Sequence, residues 1–274
     1  RRLDLRVLFC GDVVGQPGRL AVCAAVKRAK SELGVGFVIV NGENAAGGFG
    51  ITPSICEEFF AAGVNVITTG NHIWDQREII SHIDSESRLL RPHNYPDGTP
   101  GSGAHLFTTA SGYRVAVVNI MLRLFMEPLD DPFRCVDRFV QGHSLCKTAD
   151  AIIIDAHGEA SSEKQALGYM LDGRVTAVVG SHTHVPTADT RILPNGTGFQ
   201  TDAGMCGDYD SVIGGDKATW IKRFKSRMPV GRVAPPRGLG TACGVLIDVN
   251  EATGLTVGIS QVIQGPHLRE NWPK

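Results

Sequence analysis

The sequence predicts an α/β fold with two packed sheets, and three observations carry that reading. Short runs rich in Val and Ile alternate with longer segments of helical periodicity through the first half. Each run ends in a cluster of Gly, Asp, Asn or His, the composition of functional loops at the carboxyl ends of parallel strands. The last third holds further apolar runs without helices between them, as in an antiparallel sheet.

Taken in order, residues 5–10 read as a buried strand stopping at Gly11-Asp12. Pro17 suits a helix start, and Leu20, Cys23, Val26 and Leu33 give that helix an apolar stripe before Gly34 ends it. Residues 37–40 form a second strand, followed by Asn41-Gly42-Glu43-Asn44. Thr52-Pro53 caps a helix with Ile55, Phe59 and Phe60 on its inner face and Gly63 at its end. A third strand at 64–69 runs into Gly70-Asn71-His72. Strand, helix, strand, helix, strand describes a doubly wound parallel half, whose strand ends lie side by side.

Residues 91–101 are a loop by composition. A hairpin about Ser111-Gly112 is expected from 104–109 and 113–119, a turn at 128–132 and a helix at 133–146. The strand at 151–156 ends at His157, and Ser161 or Ser162 caps the next helix. Residues 175–179 lead into Gly180-Ser181-His182-Thr183-His184. Residues 197–201, 242–249 and 254–262 read as antiparallel strands. No linker or internal repeat divides the chain, so residues 1–274 are expected to form a single domain.

Composition narrows the function classes. Hydrophobic content of 42% and charged content of 20% are those of an ordinary soluble protein. A net charge of −1 gives no global basic field for duplex DNA or RNA. No apolar run approaches the roughly 20 residues of a membrane span. Arg1-Arg2-Leu3-Asp4 leads into an apolar run too short for a secretion signal. Seven scattered cysteines without a Cys-X-X-Cys pair read as small buried side chains, which predicts a cytoplasmic protein. The sequence sets no oligomeric state, and a homo-oligomer is compatible with it.

Six donors stand at successive strand ends: Asp12, Glu43, Asn71, His157, His182 and His184. Each alone also reads as a helix cap, a turn or a hydrogen-bonded loop residue. His182 and His184 lie two apart and share a face if the chain stays extended past Gly180. Neutral imidazole is a preferred nitrogen ligand of Zn, Fe and Mn. Jointly, the six point to a metal.

The series Gly11-Asp12, Gly42-Glu43-Asn44, Gly70-Asn71-His72, Asp155-Ala156-His157 and Gly180-Ser181-His182-Thr183-His184 resembles the calcineurin-like metallophosphoesterases. Within that superfamily the chain is most similar to the YmdB-type bacterial phosphodiesterases, nearly end to end. The likeness includes Gly11-Asp12-Val13-Val14-Gly15, Asn41-Gly42-Glu43-Asn44-Ala45-Ala46-Gly47-Gly48, Trp74-Asp75, Arg91-Pro92 with Asn94, and Thr183-His184-Val185 with Thr187-Ala188-Asp189. It implies a four-layer α/β/β/α sandwich around two transition-metal ions. Asp12 and His184 would hold one ion, Asn71, His157 and His182 the other, with Glu43 bridging and His72 beside them as acid. The broad superfamily has Asp-X-His where Asp12 is followed by Val13-Val14, and Asp where Glu43 stands. Asn44 is the candidate to replace the missing histidine through its carbonyl oxygen. A glycine expected before Arg123 is absent, which leaves a substrate role for Arg123 open.

The implied chemistry is attack on phosphorus by a hydroxide bridging two ions, with His72 protonating the leaving oxygen. Two divalent ions with Asp12, Glu43 and hydroxide leave a net charge of about +1, suited to a phosphodiester anion. Three imidazoles and no thiolate disfavour Mg²⁺ and Ca²⁺. The resemblance leans to iron or manganese, with zinc as the alternative. The leading expectation is a phosphodiesterase acting on small cyclic nucleotides, 2′,3′-cyclic ones favoured. A phosphomonoesterase or nucleotidase, and a nucleotide- or RNA-sensing regulatory protein with low turnover, are the alternatives. Gly47-Gly48-Phe49-Gly50 reads as a lid over the site, and Asp130-Asp131-Pro132-Phe133 as a capped turn. Glu159 and Glu163 are candidates to bond a ligand imidazole or to start a solvated helix. Asp202 and Asp208-Tyr209-Asp210 lie in a loop that approaches the substrate side.

Overall fold

The computed structural model describes residues 5–273. The opening segment 1–4, read above as the lead into the first strand, lies outside them. The first half runs β1 (Arg6–Cys10), β2 (Asp12–Val13), α1 (Gly15–Glu32), β3 (Phe37–Asn41), α2 (Pro53–Ala62), β4 (Val66–Thr68) and α3 (Glu78–His82). There follow β5 (Ala104–Thr108), β6 (Arg114–Met121), α4 (Pro132–Gly142), β7 (Ala151–His157), α5 (Ser161–Leu171) and β8 (Ala177–Ser181). The chain closes with β9 (Arg191–Ile192), β10 (Gly198–Gln200), β11 (Met205–Cys206), α6 (Lys217–Ser226), β12 (Ala242–Val249) and β13 (Thr256–Gln264).

Two large sheets result, a five-stranded one in the order β13-β12-β1-β3-β4 and a six-stranded one in the order β5-β6-β7-β8-β10-β9, beside a small two-stranded pairing of β11 with β2. Strand alternation sorts their side chains into layers. Val7, Phe9, Ile39, Val245 and Ile247 of the first sheet meet Val115, Val117, Ile153 and Val179 of the second in one buried layer. The alternate residues Leu8, Cys10, Val38 and Val40 pack against Val22, Ala25 and Val26 of α1 and Cys56 and Phe59 of α2. On the far side, Val118, Ile152, Ile154 and Val178 pack against Val136 of α4 and Leu167 and Leu171 of α5. The layers are helix, sheet, sheet, helix, as the family resemblance implies.

Several local expectations change. Of the expected stripe on α1, Val26 and Leu33 are buried and Cys23 packs against the core, but Leu20 is 63% exposed. Val22, Ala25 and Ala29 complete the buried face, the small alanines allowing the helix to lie close to the sheet. α4 ends at Gly142 rather than Cys146. Neither Ser161 nor Ser162 caps α5, because Ala160 holds the N-cap position and no side chain bonds there. β10 is antiparallel to β9, as expected of an antiparallel strand, but parallel to β8, continuing the series of β6, β7 and β8. Asp131 does cap α4, accepting from the Phe133 backbone N–H at 3.0 Å, and Gly63 closes α2 at φ 100°.

β2 pairs in parallel with β11, Asp12 opposite Met205. This requires close backbone approach: a Cβ on Gly11 would lie 1.8 Å from the Gly204 carbonyl oxygen. Asn44 bridges Val14 in the same manner. These pairings bring the loops after β1 and β3 into contact.

Candidate metal centre

The residues following β1, β3, β4, β7 and β8 converge on one centre. Two groups of donors form there, Glu43 with His157 and His182, and Asp12 with Glu43 and His184, each with its donor atoms within 4.8 Å of one another. Glu43 belongs to both. Its Oε1 lies 3.2 Å from His157 Nε2, and its Oε2 accepts the His72 backbone N–H at 3.2 Å. Asn71 Oδ1 stands 3.1 Å from His157 Nε2, on the side of the first group. Asn44 Nδ2 lies 3.2 Å from His184 Nε2 and 3.1 Å from Glu43 Oε1, on the side of the second. Turning that amide over presents its oxygen to the same neighbours.

The two histidines two apart reach the site by a route the sequence reading did not foresee. β8 stops at Ser181, and the loop is not extended: His182 has φ 96° and His184 φ 66°. Left-handed backbone at non-glycine residues is strained and persists where surrounding contacts hold it. Here the His182 N–H donates to Asp12 Oδ2 at 2.9 Å and the Thr183 N–H to Asp202 Oδ2 at 3.0 Å. Lys164, fully buried on α5, donates to the Ser181 carbonyl at 2.7 Å and to Asp202 Oδ2 at 2.9 Å.

Each imidazole has its second nitrogen occupied, which fixes the ring and frees the nitrogen facing the centre. His157 Nδ1 donates to Ser181 Oγ at 2.8 Å, and that hydroxyl donates to Asp155 Oδ1 at 2.6 Å. Asp155 Oδ2 in turn accepts from Thr68 Oγ1 at 2.5 Å and Asn41 Nδ2 at 3.1 Å. His184 Nδ1 donates to the Ile213 carbonyl at 2.8 Å. His182 Nε2 lies 3.3 Å from Glu159 Oε2, while its Nδ1 faces His157 Nε2 at 3.2 Å.

Three observations test whether these residues fit metal ions. Asp12 Oδ1 is buried without a hydrogen-bond partner among the described residues, 4.0 Å from His184 Nε2. An unsatisfied buried oxygen costs about 1–3 kcal/mol, and a cation would remove that cost. A Cβ on Gly70 would lie 2.1 Å from His157 Nε2 and 2.3 Å from Glu43 Oε2, so only glycine leaves the space between the donors open. The set of imidazoles, carboxylates and amide oxygens suits first-row divalent ions. The residues fit.

Electrostatics agree. Burial pushes the Asp12 carboxyl up to about 6, against the pull of His184 and His157. Burial also acts to raise Glu43, but the charge and hydrogen bond of His157 prevail and hold it well below the usual carboxylate range. For His157, burial disfavours the imidazolium, yet Glu43 and Asp12 outweigh it and raise the ring to about 9. Burial and the neighbouring His157 lower His182 to about 3. Without cations, one proton on His157 is what lets the two carboxylates coexist here.

His72 sits beside the centre, its Nδ1 3.0 Å from Asp75 Oδ2 and its ring edge-on to Phe49 at 5.3 Å. A cleft of about 600 Å³ opens over Glu43, Asn44, His182 and His184, with Phe49 and His72 on one wall. The other wall comes from residues 213–233 and includes Trp220, Arg223 and Arg232. Other candidates fall away. Glu163 accepts the backbone N–H groups of Arg123 and Leu124 and touches no ligand imidazole. Arg123 faces Asp131 at 3.8 Å. Asp202 serves Lys164, and Asp208 caps its own loop through the Asp210 and Gly238 N–H groups. Sequence reading missed the Ser181–Asp155 relay and the Lys164 clamp. Asp155 carried a signal, since a residue two before His157 on a strand shares its face. Lys164 carried none.

Layers and donor sets together define a metallophosphoesterase-type α/β sandwich with candidate sites for divalent ions. The family model for YmdB-like proteins matches residues 8–262, and the chain belongs to that family. It is 47% identical over 259 residues to the 2′,3′-cyclic-nucleotide 2′-phosphodiesterase of Bacillus subtilis (strain 168), covering 94% of this chain and 97% of that protein. Among solved structures it resembles a phosphatase from Mycoplasma pneumoniae with a TM-score of 0.88 at 30% identity, over 96% of this chain and 94% of that one. A hypothetical protein from Thermus thermophilus superposes with a TM-score of 0.87 at 41% identity, over 95% and 99% of the two chains.

Proposed function

We propose that this chain is a dinuclear metal-dependent phosphodiesterase hydrolysing small cyclic nucleotides, with 2′,3′-cyclic nucleotides favoured. The observation that carries this reading is the pair of donor groups sharing Glu43. Asp12, Asn44 and His184 would hold one ion, and Asn71, His157 and His182 the other, with Glu43 common to both. Bound there, the ions supply Lewis acidity toward the phosphate oxygens and an activated water as nucleophile. Three imidazoles favour a transition metal, iron, manganese or zinc, over Mg²⁺ or Ca²⁺, and the family resemblance leans to iron or manganese.

His72 is the proposed acid. Asp75 accepts its Nδ1–H at 3.0 Å, which orients the ring so that Nε2–H can donate to the leaving ribose oxygen. Its backbone N–H meanwhile steadies Glu43. The Phe49 ring lies 5.3 Å from that of His72 and lines the same cleft. The layer shared by both sheets supports reading residues 1–274 as a single domain. Four buried cysteines support a reducing, cytoplasmic setting. No helix among the described residues is long and apolar enough to cross a membrane.

The test is turnover of metal-loaded protein on a panel of phosphate esters. Cyclic diesters should be hydrolysed faster than nucleoside monophosphates. Faster monophosphate hydrolysis would transfer the assignment to a nucleotidase, and metal binding with negligible turnover of every ester to a sensor.

A further inference from the structure

The second wall of the cleft is chemically unlike the rest of the chain. Residues 217–237 hold seven Lys and Arg residues and no Asp or Glu, in a protein of net charge −1. The remainder is therefore acidic, and the whole-chain charge hides a local cationic strip. Among the described residues, only Lys217, with Asp210, and Arg232, with Asp75, meet a carboxylate within 4.0 Å; the other five basic side chains of the strip do not. α6, which carries four of the seven, buries none of its residues. Its aromatic rings are stacked, Trp220 on Phe224 at 5.5 Å and 20°, with the Arg223 guanidinium 5.1 Å from the Trp220 ring. Phe224 is 67% exposed. Trp220, Arg223 and Arg232 line the same cleft as Glu43, His72, His182 and His184.

Cations without carboxylate partners, interleaved with a stacked pair of which Phe224 is exposed and Trp220 half-buried, form the surface on which single-stranded nucleic acid binds without sequence preference. Phosphates meet guanidinium and ammonium groups, and bases lie on ring faces. The position of the strip decides what part of the strand it would meet. Because Trp220, Arg223 and Arg232 line the same cleft as the donors, a nucleotide chain leading to a diester at the metal centre would pass over α6. Resting on the function proposed above, we infer that the preferred substrate is a short single-stranded RNA whose 3′ end carries a 2′,3′-cyclic phosphate. Trp220 takes a base, and Arg223 with its neighbours takes the phosphates upstream of the end. Only ribose can form that cyclic ester, so single-stranded DNA would bind the strip but offer no reacting bond. The reaction supplying such ends is attack of an RNA 2′-hydroxyl on the adjacent phosphodiester.

The experiment compares kcat/KM for a tetraribonucleotide ending in a 2′,3′-cyclic phosphate with that for a 2′,3′-cyclic mononucleotide, using metal-loaded protein at low and high salt. The tetramer should be favoured at least tenfold at low salt. That advantage should fall with salt by about 0.7 log unit per log unit of salt for each phosphate bound. Trp220→Leu should reduce the tetramer-to-mononucleotide ratio about 5- to 150-fold, the effect of losing one stacked base. Arg223→Gln should reduce the salt slope by about 0.7. Fluorescence anisotropy of a labelled tetramer ending in a 3′-phosphate, whose cyclic ester is already open, should report the same losses in binding. Equal kcat/KM for tetramer and mononucleotide at low salt would overturn the inference while leaving the phosphodiesterase reading intact. Failure to hydrolyse any diester, bis(p-nitrophenyl) phosphate included, would instead sink that earlier reading. Sedimentation showing the strip covered by a second copy of the chain, with no tetramer bound, would also overturn the inference.

Discussion

Lys164→Met removes the ammonium that ties α5 to the loop bearing His182 and His184. Lys164 and Asp202 are both fully buried, 2.9 Å apart, and the lysine also bonds the last carbonyl of β8. Taking one partner from such a pair costs about 3–5 kcal/mol, because the other charge stays buried and unpaired. Asp202 keeps the N–H groups of Thr183 and Gly204, so the lower end, about 3 kcal/mol, is expected. At about 2–4 °C per kcal/mol for a chain of this size, Tm falls by about 6–12 °C. Calorimetry of the metal-free protein reads that loss, and metal titration reads a second one, weaker binding wherever His182 or His184 is a ligand. In Lys164→Met/Asp202→Asn neither charge remains, so the double variant should lose clearly less than the sum of the single losses. A Tm within about 2 °C of the unmodified protein, or strict additivity in the cycle, would refute the clamp.

Three further outcomes are expected. His72→Ala keeps the backbone N–H on Glu43 and should keep its metals. It should slow 2′,3′-cyclic nucleotide hydrolysis about 10²–10⁴-fold and bis(p-nitrophenyl) phosphate hydrolysis much less; equal losses would point to phosphate binding instead. Asn44→Ala should lower metal occupancy beside Asp12 and His184 and spare the His157 side, and unchanged occupancy in elemental analysis would reduce Asn44 to a loop residue. Metal loading should release protons, because His157, raised to about 9 in the metal-free protein, must give up its Nε2 proton to become a ligand. Apparent affinity should therefore climb with pH toward 9, while the stability that protonated His157 lends the metal-free fold, fully present below about 6.5, is lost as pH rises through 9. Titration calorimetry in buffers of different ionisation enthalpy counts those protons, and a count of zero at pH 7 would contradict the coupling.

The strands and their terminal donors were legible because both signals are local. β-branched runs mark a buried strand, and a Gly next to Asp, Glu or His marks its end, as at Gly11-Asp12 and Gly42-Glu43. Whatever depended on a partner far along the chain was not. Lys164 meets Asp202, 38 residues on, and nothing in the local pattern separates it from a solvated helix lysine. The direction of β10 depended on its partner β8, which composition does not name. An extended chain through His182 and His184 was the wrong premise: left-handed turns held by Asp12 and Asp202 bring the two rings to the centre, one on each donor group. Net charge concealed the cationic strip because opposite charges elsewhere cancel it.

The shared role of Glu43 is the claim on which the rest depends, and anomalous diffraction from metal-loaded crystals tests it most directly. Two peaks per chain are expected, both within bonding distance of the Glu43 carboxylate, one beside Asp12 and His184 and the other beside His157 and His182. A single peak with all these residues intact, or two peaks of which only one touches Glu43, would contradict it.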